Sequence, residues 1–100
     1  MNALKLGFLI VCATNLSAQT PTFYLDVAPI IFNNCTECHR VGELGPMSLT
    51  TYDEVAANGY YIEYVTQSGY MPPWTPDHNY TTLHGERFLT EEETQTLVDW

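Results

Sequence analysis

The sequence predicts a small all-α domain with long loops, and three observations predict it. Apolar residues cluster at near-helical spacing in three stretches of the chain. Two of the helix starts carry the same signature, a threonine followed three residues later by a glutamate: Thr51 with Glu54, and Thr90 with Glu93. That is capping-box spacing, in which each partner satisfies a backbone N–H that a helix start leaves free. No alternating strand pattern competes, and the connections are rich in glycine and proline.

Residues 1–18, "MNALKLGFLIVCATNLSA", come first. Lys5 precedes an apolar run from Leu6 to Ala13, and small polar residues follow up to Ser17-Ala18. A charge, a short apolar stretch and a small-residue exit predict a signal peptide cut after Ala18, too short to span a bilayer comfortably. Val11 stands before Cys12, where a lipid-anchor cysteine would follow a small residue, so no lipid anchor is expected. No second long apolar run exists, and residues 19–100 are expected to form one exported domain without a direct membrane span.

The first helix is expected from Asp26 as cap, with Pro29 tolerated in the first turn and Ile30, Ile31 and Phe32 as its apolar side, running into Cys35. The glycines and the proline of "VGELGPMSLT" then predict a loop. The Thr51 capping box opens a second helix, which Asn58-Gly59 interrupts. A further helical stretch follows with Tyr61, Ile62 and Val65, closed by Gly69. Pro72, Pro73 and Pro76 exclude regular structure in the next segment. The Thr90 box opens the last helix, where Glu91, Glu92 and Glu93 complement the positive helix start and Leu97, Val98 and Trp100 supply the buried side. This helix reaches Trp100 with no cap, and the natural chain is expected to continue beyond it.

Twelve acids outnumber three cations, giving a formal charge of −9. Without Lys5, Arg40 and Arg87 alone face those acids and the charge becomes −10. Such a surface argues against nucleic acid and anionic membrane as partners and permits docking on a basic protein. About 80 residues bury a small core, so a staple is expected: disulfides, a metal or a cofactor.

Once the leader is removed, the only cysteines are Cys35 and Cys38, in "CTECH". A disulfide here would close a tiny loop and stabilise little. A redox dithiol needs the motif at a helix start within a βαβ pattern. Here the motif follows a helix and no strands surround it. A zinc site would need His78 and His84, far along the chain, and would leave His39 unexplained. Covalent haem attachment uses every position. Each thiol adds to one vinyl group, and the adjacent histidine supplies the proximal nitrogen to the iron. Haem also provides the missing core, and export suits its attachment.

The sixth ligand is expected from "SGYMPPWTP". Met71 offers a weak thioether donor that two following prolines hold in place, and Trp74 is expected to pack beside the macrocycle. Met/His ligation raises the potential and suits electron transfer. The alternatives are Met47 (read instead as packing beneath the haem edge), His78 or His84 in a bis-histidine centre, or an open sixth site. The Pro46 carbonyl is the expected acceptor for the second ring N–H of His39, since metal-bound histidines are usually oriented in this way. Arg40 and Arg87 are the cations left to meet haem propionates, a surface salt bridge being the other reading of Arg87.

With these residues in hand, the chain resembles the class I, single-haem cytochrome c domains, especially exported versions fused to the front of larger bacterial proteins. The motifs carrying the resemblance are "DVAPIIFNNCTECHRVGELGPMSL", "MPPW" and "GERFLTEEETQTLVDW". The resemblance implies a cytochrome c-like fold wrapped around one covalent haem c, with thioethers on Cys35 and Cys38, His39 as proximal ligand and Met71 as distal ligand. It also implies that the helix containing Leu97 and Trp100 packs across the first helix, and that a redox partner protein or a fused downstream domain receives the electron. The expected function is electron carriage in the periplasm or outside the cell, without catalysis of its own. The alternative is a haem peroxidase or gas-binding sensor with an open sixth site.

Overall fold

The computed structural model describes residues 19–100; the expected leader, with Lys5 and Cys12, lies outside the described residues. Among the described residues there are helices and no strands. The chain enters its first helix through a wider, π-helical turn at Phe23–Val27, in which Val27 N–H reaches the Thr22 carbonyl at 3.2 Å. The helix continues as α1, Ala28–Asn34. Helices α2 (Tyr52–Ala57), α3 (Gly59–Gln67) and α4 (Glu91–Asp99) follow.

Both capping boxes are formed. Glu54 N–H donates to Thr51 Oγ1 at 3.3 Å while the Glu54 carboxylate accepts from Thr51 N–H at 3.1 Å. At α4 the matching distances are 3.1 Å and 2.9 Å. Asn58 separates α2 from α3, and its side chain donates to the Glu54 carbonyl at 2.8 Å, holding the two short helices in sequence. Gly69 takes φ +73° just past α3, a left-handed turn that a side chain would strain.

The first helix begins earlier than Asp26. Thr22 is the residue before its first turn, and Asp26 sits one turn in. From there its carboxylate reaches back to accept from Thr22 N–H at 2.6 Å and Thr22 Oγ1 at 3.0 Å. The acid still serves the helix start, but from inside the first turn, where it also complements the dipole.

The core consists of nine side chains: Phe23, Val27, Ala28, Ile30 and Ile31 from the first helix, with Leu49, Val55, Ile62 and Leu97 brought against them. Helix α4 lies against both the first helix and α3. An aromatic group seals that junction: Phe23 stands 5.6 Å from Trp100 and 5.1 Å from Tyr52, ring centre to ring centre. Such tilted and edge-on pairs add to the area they bury. Phe32, expected on the apolar side of the first helix, is exposed, and so is Tyr61 in α3. Thirteen large apolar or aromatic side chains are exposed among the described residues, seven of them tyrosines, against eight large side chains in the core.

Candidate functional site

Helix α1 ends at Asn34 with Cys35 as its C-cap, and the chain then makes one further turn. Cys38 and His39 N–H groups both donate to the Cys35 carbonyl, at 3.2 and 2.9 Å. The two thiols therefore lie one turn apart at the end of a helix packed into the core, and Cys35 itself packs against that core. Both thiols are free. Burial, then the neighbouring Cys38, pushes the Cys35 thiol up to about 11. A redox dithiol needs a lowered thiol pKa, and the C-terminal end of a helix disfavours a thiolate. The dithiol reading therefore has chemistry against it.

Residues 40–49 fold back over the turn. Gly45 N–H donates to the Cys38 carbonyl at 2.7 Å, and Leu49 N–H donates to the His39 carbonyl at 2.9 Å. This return brings Gly45 directly against the His39 ring. A β-carbon at position 45 would stand 2.5 Å from His39 Nδ1 and 2.7 Å from the Cys38 carbonyl oxygen. Only glycine lets the backbone approach the imidazole so closely. His39 Nδ1 lies 3.2 Å from the Met47 carbonyl oxygen. The acceptor is thus Met47, one residue beyond Pro46, whose side chain is exposed. Pro46 shapes the turn, while Met47 packs against the core and so fixes its own carbonyl. With Nδ1 donating, Nε2 keeps its lone pair for a metal.

The other expected residues come from the long segment between α3 and α4. Met71 is half-buried and anchored through its backbone, its N–H donating to the Val65 carbonyl at 2.9 Å. Trp74 N–H donates to the Pro72 carbonyl at 2.8 Å, a tight turn that carries the indole inward. The buried Trp74 Nε1–H has no acceptor among the described residues, nor has the buried Glu86 Oε1 a donor. Buried polar groups are nearly always paired, by protein or by ordered water, so these two stand apart from the rest of the described residues. His78 stacks flat on Phe88, with ring centres 3.9 Å apart and planes within 8°. Among the described residues no three His, Cys, Asp or Glu side chains converge as a metal site, so the zinc set of two cysteines with His78 and His84 is not assembled.

The two arginines behave differently. Arg40 pairs with Glu43 at 3.4 Å on the surface, its side chain more than half exposed. Arg87 pairs with Glu37, the residue just before Cys38, and its Nη1 lies 3.6 Å from Cys38 Sγ. The hydrogen bond to Glu37 raises the already high pKa of this guanidinium. A salt bridge at Arg87 is among the sequence expectations, and the structure supplies its partner. A pairing across 49 or more positions leaves no local spacing signal.

The donor set fits covalent haem. Two free thiols lie one turn apart, a histidine follows with one nitrogen oriented and the other available, and an indole donor lacks an acceptor. Comparison with protein-family models, with curated proteins and with solved structures finds no match to this chain.

Proposed function

We propose that this chain is an exported, mono-haem c-type cytochrome domain that carries one electron at a time. The observation that carries the reading is the seating of His39. Gly45 leaves room for the ring, the Met47 carbonyl takes its Nδ1–H, and Nε2 is left available beside two free thiols. When bound, the haem supplies a one-electron iron couple, and histidine–methionine ligation places that couple at the high-potential end.

Each residue then has a task. Cys35 and Cys38 would hold the group by thioether bonds, Cys35 packed against the core and Cys38 one turn on. His39 would supply one iron ligand, through Nε2. Met71 would supply the other, through a sulfur whose backbone is restrained by the bond to Val65 and by Pro72 and Pro73. Trp74 and the exposed aromatic side chains supply apolar surface for the macrocycle. Arg40, on the surface beside the attachment turn, is a candidate partner for a propionate once released from Glu43. The leader at residues 1–18 accounts for export to the periplasm or beyond. The electron would pass to a redox partner protein or to a downstream domain of a longer chain.

The test is expression with the leader in a host that matures c-type cytochromes, followed by oxidised and reduced spectra. A covalent haem with a far-red sulfur-to-iron band, lost in Met71→Ala, is the expected result. Covalent haem without that band, with rapid binding of carbon monoxide to the reduced form, would replace the carrier by an open-site peroxidase or sensor. Protein without covalent haem would overturn the reading.

A further inference from the structure

The contact between Arg87 and the attachment turn has a use that holding the loop does not exhaust. Arg87 is one of two arginines in a described segment that carries all twelve acids of the chain. The other, Arg40, is spent on the exposed Glu43. Arg87 is better placed: about one third of its side chain is exposed, and Nη1 sits 3.6 Å from Cys38 Sγ. Its other terminal nitrogen, Nη2, engages Glu37, whose side chain is about two thirds exposed. The neighbouring residues hold it there. Leu89 packs against the core and Phe88 stacks on His78. A fixed positive charge thus touches the sulfur that would carry the haem, with an acid beside it that cancels part of the field.

We propose that the Arg87–Glu37 pair sets the reduction potential of the centre, Arg87 favouring the reduced state and Glu37 opposing it. This inference rests on the haem reading above. The one-electron couple takes an electron from a donor protein and passes it to an acceptor, so the charge of the site falls by one on reduction. A nearby cation stabilises the state with the added electron, and an anion stabilises the other. Attraction of this kind is felt most where water is partly excluded, as at Cys38. Glu37 acts from further into solvent and is screened more strongly.

The experiment is a potentiometric titration, followed by absorbance, of matured wild type, Arg87→Gln, Arg87→Lys and Glu37→Gln. Arg87→Gln should lower the reduced-to-oxidised ratio at a fixed solution potential by roughly three- to tenfold, tenfold being about 59 mV for one electron. Glu37→Gln should raise it by a smaller factor, and Arg87→Lys should stay close to wild type. Haem-loaded variants whose potentials do not move would overturn the proposal. So would Arg87→Lys shifting as far as Arg87→Gln, because shape rather than charge would then be acting. If Arg87→Gln does not mature, the exposed Glu37→Gln carries the test alone: a rise supports the proposal, and no change or a fall overturns it. Wild type that matures without covalent haem is a separate failure, one that removes the haem reading and this inference with it.

Discussion

The two long loops of this domain are built in opposite ways. The loop from Cys38 to Leu49 closes on itself: its backbone bonds to the turn below, its glycine fits the imidazole, and Met47 ties it to the core. The segment from Tyr70 to Leu89 is longer and held at few points. These are the Val65–Met71 bond, the His78–Phe88 stack, Arg87 reaching the attachment turn and Leu89 against the core. It also contains both buried polar atoms that lack partners among the described residues. One loop is therefore closed by protein contacts, and the other leaves two buried polar atoms without a protein partner among the described residues. A binding site can be preorganised on one face only, with the ordering of the second face coupled to binding.

The largest test of this contrast is the double substitution Cys35→Ala/Cys38→Ala. On the haem reading it removes the group that completes the core, and a domain of this size then lacks a staple. Cooperative thermal unfolding by circular dichroism should disappear. A double variant that still melts cooperatively would mean that both loops are self-sufficient.

Gly45→Ala attacks the finished loop alone. The new methyl must displace His39 or the backbone, at about 1–3 kcal/mol, the usual cost of overpacking. Gly59→Ala is the control, since nothing lies within 4 Å of a β-carbon there and α3 should gain up to about 1 kcal/mol. Equal melting of the two variants would erase the distinction drawn at Gly45.

Trp74→Phe probes the other loop. It keeps an aromatic ring and removes the N–H that has no acceptor in the described protein. Where the loaded group supplies that acceptor, holoprotein stability should fall by about 1 kcal/mol. Unchanged melting of the holoprotein would show that the indole never finds a partner.

The smallest effect concerns the helical frame behind both loops. The Glu54 carboxylate is held below its ordinary value of 4.5, first by the Thr50 N–H and then, against some desolvation, by the Thr50 and Ser48 hydroxyls and the Thr51 N–H. A carboxylate lowered on folding stabilises above its unfolded value and loses that contribution as pH falls through its folded one. Melting temperatures of wild type and Glu54→Gln should differ at pH 6 and draw together as pH falls below 4.5. A gap that persists at low pH would assign the effect to geometry instead of charge.

Local spacing explains which features could be read from the sequence. Thr51 with Glu54, Thr90 with Glu93, the break at Asn58 and the turn at Gly69 all depend on residues within one helical turn, and each stands as expected. So does the end of α1 at Cys35. Helix faces were less legible, because Phe32 and Tyr61 have apolar rings that either face would accept and only the assembled core decides. Pro46 and Met47 are adjacent carbonyls on one loop, and a single residue of curvature selects between them. The Arg87–Glu37 pair had no signal beyond opposite charge, since the fold alone brings those positions together.

The capping boxes also bear on the order of assembly. They join residues three apart and close almost no loop, so α2 and α4 can start as soon as their segments exist. The Arg87 contact spans 49 positions to Cys38 and meets a larger closure entropy. Contacts of that range form late. During maturation the capped turns of α2 and α4 would thus be able to start while the segment that ends with Arg87 against Cys38 is still open, which leaves the Cys38 thiol within reach of the machinery that loads it.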